Sequence, residues 1–428
     1  MNTPARAPLM VLEEALAQLL QGVEPVQGVQ SVPTFEADGR VLAQDVVSAL
    51  DVPGHDNTAM DGYAVRLSDV QAALKTGAAL PVSQRIPAGH FGEPLQPGTV
   101  ARIFTGAPVP TGADAIVMQE EAQAAGEDAQ GRALVTFGQA PQLGQWIRRQ
   151  GEDVRQGGVV LTQGTRLQAQ HLGLAASMGF ATLSVRRALR VALFSTGDEL
   201  VMPGDVPPDQ LKPGTIYNSN RFFLKALLQR LGCEVSDLGI VPDQRDATVQ
   251  ALAQASQTHD LIVTSGGVSV GEEDHIKPSV QLLGGLHLWQ IGMKPGKPFA
   301  FGWLGQGEVG AGRSHFVGLP GNPVSSFVTF LLLVRPLILR LSGVPAQELM
   351  ALPPPIALPA HFQINKADKR REFLRVRRNA QGGLDVFSNQ SSGVLTSVVW
   401  ADGLVDNPAG ATVAYGDTVQ YRPLSAFF

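Results

Sequence analysis

The chain holds a single cysteine, Cys233, in 428 residues. That excludes an intramolecular disulfide and any cysteine-rich zinc or iron–sulfur site. Charge is sparse as well: 17% of residues are charged, 38 acids against 33 bases, for a formal net charge of −5. No long basic run occurs, so duplex nucleic acid is not an expected partner. A small anionic ligand needs only a local basic pocket and is not excluded. The eight histidines show no metal-ligand spacing. The amino-terminal stretch lacks the apolar core of a secretory signal. A membrane span needs roughly 20 apolar residues; the longest apolar stretch, 327–334, is cut short by Arg335 and Pro336 and reads as a buried core helix. A soluble, cytoplasmic chain without membrane contact is therefore expected.

What is present is core-forming material and turns. Hydrophobic residues make up 44%, with 47 glycines and 30 prolines. At about 150 residues per domain, the length suggests roughly three domains. Apolar pairs in 11–20 recur at helical spacing. Residues 32–144 carry short apolar stretches (100–104, 115–118, 133–137) separated by Gly, Pro and Asp, which predicts an inserted β-rich domain. Residues 166–177 read as a second helix, closed by Gly179. The helical pieces, 1–31 and 145–187, would form one linking domain around the insertion. From 188 to 343 strand-like runs (190–195, 234–241, 261–264, 315–318) alternate with helical ones (222–231, 247–257 and a long helix after Pro323). That alternation predicts a doubly wound parallel α/β sheet, with ligands beyond the carboxyl ends of its strands. Residues 344–428, entered through Pro353–Pro355, read as a small β domain of barrel-like character. The fold class expected is multidomain α/β plus β.

Several strings have a chemical rationale. In Gly318-Leu319-Pro320-Gly321-Asn322-Pro323, Asn322 suits an N-cap and Pro323 suits position N1; the helix end would favour an anion, or simply be well capped. In Thr264–Lys277, Gly266 and Gly267 follow a strand and allow close backbone approach to a ligand. Glu272, Glu273 and Asp274 could hold a hydrated divalent cation or form a solvated acidic turn. Residues 267–271 match the nucleophile elbow around Ser269, but no Asp and His partners can be placed, which argues against a serine hydrolase. Lys294 and Lys297 flank a Pro-Gly turn; the spacing from Gly292 to Gly296 is one short of a Walker A loop, and Pro298 replaces its Ser/Thr. Two fixed cations suit phosphate or oxyanion, or a basic surface turn. The G-x-G-x-x-G at 305–310 precedes a strand, so a hairpin tip is expected there. Residues 56–62 depart from a calcium loop at Met60 and Leu67, leaving Met60 and Tyr63 to packing and Asp61 to function or turn capping. Cys233 reads as a small core residue.

Eight strings in series carry a resemblance: VPGHDNTAMDGYAV (52–65), RIFTGAPVP (102–110), RRQGEDV (148–154), STGDEL (195–200), NSN (218–220), TSGGVSVGEEDHIK (264–277), KPGKPFAFG (294–302) and GLPGNPVSS (318–326). Together they resemble the molybdopterin molybdenumtransferase family, MoeA in bacteria and the E domain of gephyrin. The resemblance covers nearly the whole chain. It implies the last step of molybdenum cofactor assembly, in which adenylylated molybdopterin and molybdate react with Mg²⁺ to give the cofactor and AMP. It also implies a homodimer of four-domain subunits, with each active site between the α/β domain of one copy and the β-rich second domain of the other. The implied pathway partners are the molybdopterin adenylyltransferase and cofactor-accepting apoenzymes. By the same resemblance Asp61, Thr105, Glu199, Asp243 and Asp274 are catalytic, with Mg²⁺ on Asp243 and Asp274. Asp153, Ser219, Gly266, Gly267, Ser269, Lys294, Lys297, Pro320, Gly321, Asn322, Pro323, Arg371 and Ser391 bind substrate, with Glu372 and Ser392 beside the last two. Lys294 and Lys297 would screen the two dianions from one another. The sequence departs at Gln290, near where the family can carry a further lysine, and at 305–314, which reads as a lengthened hairpin. Two other readings stay open: the related adenylyltransferase step, and a non-catalytic scaffold.

Overall fold

The computed structural model describes residues 9–267 and 275–428. The chain divides into two compact units. One comprises residues 1–44, 163–168 and 182–428; the other comprises 45–162 and 169–181.

The first unit is built on a six-stranded sheet. Its strands are β1 (Arg190–Thr196), β2 (Glu234–Val241), β3 (Leu261–Ser265), β4 (Gly284–Gln290), β5 (Pro298–Val309) and β6 (Ala311–Leu319), in the spatial order β2-β1-β3-β6-β5-β4. The first four in that order are parallel, as expected. The β5–β6 and β5–β4 pairs are antiparallel, so the sheet is mixed. The reason is local: β5 and β6 are joined through Gly310 in a hairpin, the lengthened one that 305–314 suggested, and a hairpin can only connect antiparallel strands.

Both faces of the sheet are covered, and the sequence shows how. In β1, Val191 and Leu193 enter one apolar cluster, while Ala192 and Phe194 enter another. Helices Arg245–Ser256 and Ile276–Leu283 supply the second cluster; helix Leu12–Gln21, helix Ser219–Arg230 and the long helix from Pro323 supply the first. The alternation follows from the two-residue period of strand side chains.

Pro323–Leu341 is 19 residues long and apolar enough to cross a membrane by length and composition, yet 83% of it is buried inside the fold. It is the core helix that residues 327–334 predicted. It runs on past Pro336 because Phe330–Val334 forms a π-helical turn just before that residue. A widened turn removes the clash and the missing hydrogen bond that proline would bring to an α-helical ladder.

The first unit also holds a second larger sheet, in the order Met293–Lys294, Arg371–Arg378, Gly403–Asn407, Thr418–Pro423, Ile356–Pro359, with Leu384–Val386 against Arg371–Arg378. That sheet's own apolar cluster includes Leu374, Val376, Val405 and Tyr421. The unit further holds two two-stranded sheets, Val29–Pro33 with Thr182–Arg186 and Leu200–Val201 with Ile216–Tyr217.

The second unit is β-rich. Its sheet runs Ala115–Met118, Gly62–Val65, Val100–Ile103, Leu80–Ile86, Ala133–Phe137, Ala122–Glu127. All pairs are antiparallel except Leu80–Ile86 with Val100–Ile103. The helix expected over 166–177 begins later, at Ala169, and ends at Ser177. The cause is visible upstream, where Leu167 both gives and receives backbone hydrogen bonds with the 39–40 segment. That pairing keeps the residues just before Ala169 out of the helix. By packing, this helix groups with the β-rich unit, while helix Leu12–Gln21 groups with the α/β sheet.

Candidate active site

A cavity of about 820 Å³ opens beyond the carboxyl ends of β1, β3 and β6 in the first unit. This is where a doubly wound sheet presents its ligand, because the βα turns there expose backbone donors and helix amino termini. Most of the wall is made of turns that held residues named from the sequence. Thr196, Gly197 and Glu199 follow β1; Asp243 follows β2; Ser265, Gly266 and Gly267 end β3; Pro320, Gly321, Asn322 and Pro323 follow β6.

Glycine is required at two of these positions. Gly267 has φ +65°, and a Cβ there would lie 2.6 Å from Ile276 Cγ1 and 3.0 Å from Thr196 Oγ1. Gly197 has φ +143°, and a Cβ would meet Glu199 Oε2 at 2.6 Å. The Glu199 side chain therefore folds back over its own turn at the cavity rim.

The residues that tie these turns together were missed as individual sites, although the 218–220 string had been noted. Asn220, 8% exposed, donates from Nδ2 to Ser265 Oγ and to Gly321 O, both at 2.7 Å. One amide thus clamps the β3 and β6 turns. Asn218 caps the helix Ser219–Arg230, its side-chain oxygen accepting from Arg221 N at 3.2 Å. Its Nδ2 is buried at the cavity wall without a partner among the described residues. A buried orphan donor costs roughly 1–3 kcal/mol, a cost that a ligand oxygen would remove. Ser219, the first helical residue, also lines the cavity. Gly393 and Leu395 close it from the carboxyl-terminal segment. The signal for those two was weak, because long-range contacts such as Ser392 O accepting from Val324 N, at 3.0 Å, bring that segment here.

Other expectations need correction. Asn322 precedes the long helix, with Pro323 at N1, but its side chain makes no capping hydrogen bond. The first turn is instead held by Ser326 Oγ donating to Pro320 O and by Ser392 O accepting from Val324 N, so that helix end is partly occupied by protein acceptors.

Lys294 was expected to face an anion. Its partly exposed side chain is paired with protein carboxylates, with Nζ 2.9 Å from Glu372 Oε1 and 3.2 Å from Asp368 Oδ2. The hydrogen bond to Glu372, against some desolvation and with help from Asp368, raises its pKa. Neither Lys294 nor Lys297 lines the cavity among the described residues. Arg371 likewise pairs with Asp406 at 2.5 Å and with Glu13. Ser391 is in the same segment as Gly393, its carbonyl 3.5 Å from the Nη2 of the buried Arg375. Ser269 and Asp274, with Glu272 and Glu273, lie outside the described residues.

In the second unit Asp61 and Thr105 are joined by hydrogen bonds. Thr105 donates to Asp61 Oδ1 from its backbone N–H at 2.8 Å and from its hydroxyl at 2.7 Å. These bonds, the backbone one foremost, hold the Asp61 carboxyl below the usual carboxylate range, with Arg102 adding to the effect. Asp153 is exposed in a turn, its N–H donating to Val52 O at 3.1 Å. Among the described residues no group of three or more His, Cys, Asp or Glu side chains could hold a metal ion. Glu199 and Asp243, both carboxylate residues, line the cavity. Such hard donors suit Mg²⁺, which takes one or two carboxylates plus phosphate oxygens and water.

A two-faced α/β sheet with a turn-lined polar cavity at its strand ends, joined to β modules, marks a ligand-binding α/β protein. Comparison identifies it further. Residues 10–179 match the family model of the "MoeA N-terminal region (domain I and II)". Residues 192–340 match the "Probable molybdopterin binding domain" and residues 357–424 the "MoeA C-terminal region (domain IV)". The chain is 40% identical to a molybdopterin molybdenumtransferase of Haemophilus influenzae, over 97% of this chain and 99% of that one. It is 36% identical to molybdopterin molybdenumtransferase 2 of Mycobacterium tuberculosis, over 96% and 98%. The fold is similar to the crystal structure of the molybdopterin biosynthesis moeA protein from Pyrococcus horikoshii OT3, with TM-score 0.79 and 27% identity over 97% of this chain and 99% of that one. The chain belongs to the molybdopterin molybdenumtransferase family, transferases of molybdenum cofactor biosynthesis.

Proposed function

We propose that this chain inserts molybdate into adenylylated molybdopterin with release of AMP, in the cytoplasm, as a homodimer. The observation that carries the proposal is the cavity itself. Its walls include turns of small and polar residues, and the buried Asn218 Nδ2 at its edge has no acceptor among the described residues.

Carboxylates accept hydrogen bonds, so Glu199 and Asp243 position donors such as pterin amino groups, ribose hydroxyls or water rather than bind molybdate directly. Asp243, with Asp274, would hold Mg²⁺, which when bound neutralises pyrophosphate charge. Gly266 and Gly267 let the backbone lie against the substrate. The sulfurs that receive molybdenum belong to the pterin. Cys233 takes no part: burial pushes its thiol up to about 12. Asp61 and Thr105 complete the site from the second copy, and the cofactor passes from there to accepting apoenzymes.

The test is direct. Purified protein with adenylylated molybdopterin, Mg²⁺ and molybdate releases AMP only when molybdate is present. Attachment of AMP from ATP would instead indicate the adenylyltransferase step, and no turnover a scaffold. Asp243→Asn lowers kcat about 100-fold with the circular dichroism unchanged. Wild-type rates for that variant at limiting Mg²⁺ would remove its metal role.

A further inference from the structure

The second unit carries a concentration of positive charge that the reading above does not use. Strands Leu80–Ile86 and Val100–Ile103 run parallel, and their register sets Arg85 beside Arg102. Like charges opposed on neighbouring strands destabilise a sheet, a cost that a bound anion would relieve. Both guanidinium groups lie over the Phe104 ring, 4.6 Å and 4.5 Å from its centroid, which fixes their planes by cation–π contact. Arg102 is held further: Nη1 donates to Gly62 O at 2.8 Å and Nη2 to Gln119 Oε1 at 2.5 Å. Those acceptors are neutral, and Glu120 is reached only through Gln119, at 3.1 Å from its Nε2. Among the described residues no carboxylate forms a salt bridge with Arg85 or Arg102. The acid that feels Arg102 is Asp61, whose Oδ1 already accepts two hydrogen bonds from Thr105, the residue after Phe104. Arg102 thus acts on an engaged carboxylate, while Arg85 stands beside Arg102 over the same ring and is exposed.

We propose that Arg85 and Arg102, aligned by Phe104, form an anion subsite that takes a phosphate of the substrate next to Asp61 and Thr105. The inference rests on the adenylylated substrate proposed above. Guanidinium suits the role, because its forked donors match phosphate oxygens in pairs where an ammonium offers only a point charge. Arg85 supplies an open fork and Arg102 a fixed charge.

The test uses the full chain and two probes, inorganic pyrophosphate and molybdate, in calorimetric titrations of the wild type and Arg85→Gln. Arg85 is exposed, so this variant keeps the fold. Pyrophosphate binding weakens about tenfold in Arg85→Gln, the loss of one charge-assisted contact, while molybdate binding is unchanged. The KM for adenylylated molybdopterin rises by a similar factor, with a smaller change in kcat. Arg102→Lys, which keeps the charge and loses the fork, shows the same direction. Equal pyrophosphate binding and equal KM in wild type and Arg85→Gln would overturn the subsite. Loss of molybdate binding alone would overturn its assignment to phosphate. Arg85-dependent pyrophosphate binding in a protein that releases no AMP would sink the proposed activity and leave the subsite standing.

Discussion

At the scale of single residues, chemistry is decided by neighbours distant in sequence. Lys294 shows this. Its Pro-Gly turn was legible, but its charge is consumed by Glu372, 78 residues away, and no local pattern announces that. Asn220 is the converse case. It lay inside a recognised string, yet its role as a clamp depends on Ser265 and Gly321, which only the fold brings near. Cys233 was legible because a lone thiol between a helix and a strand has little to do but pack. His315 was passed over, and it makes a testable pH claim. It is 5% exposed and stacked on Phe301 at 6.0 Å, and burial, with Arg313 acting in the same direction, pushes its pKa down to about 4 from 6.5. The unfolded chain therefore takes up a proton at higher pH than the folded one. Stability from this group is complete above 6.5 and lost as pH falls toward 4, by up to about 3 kcal/mol. In urea titrations across that window His315→Gln should show a shallower loss of stability than the wild type. An identical slope in both proteins would assign the acid sensitivity elsewhere.

At the scale of elements, periodicity was a good guide where burial is regular. The strands of the parallel half of the α/β sheet were read from short apolar runs ending in glycine or polar turns, since strands buried on both faces show continuous hydrophobicity. Termini were harder. The helix after Gln168 starts late because tertiary pairing of Leu167 outweighs local helical preference, and the long core helix ignores Pro336 because a π-helical turn absorbs it. The candidate site was legible as a set of loops and illegible as a set of contacts. Asn220→Ala tests the contact that matters most among the turns. It strips the partner from the buried Ser265 hydroxyl and from Gly321 O, so a loss of about 2–3 kcal/mol is expected, measured as a lower urea midpoint. An unchanged midpoint would mean that these turns hold their shape without the clamp.

At the scale of the whole molecule, the sequence carried the family through eight spaced strings, and the comparisons bear that out over 97% of the chain. The mixed character of the α/β sheet was less visible, because strand direction depends on a hairpin whose glycine-rich tip resembles a nucleotide-binding fingerprint in letters alone. The account's central claim is that the substrate sits beyond the strand ends of the α/β sheet. Amide hydrogen exchange with and without adenylylated molybdopterin tests it most directly. Slower exchange is expected at 196–201, 216–220, 265–267 and 321–324, the turns that enclose the cavity. Binding that leaves all four segments unchanged while protecting residues elsewhere would contradict the claim.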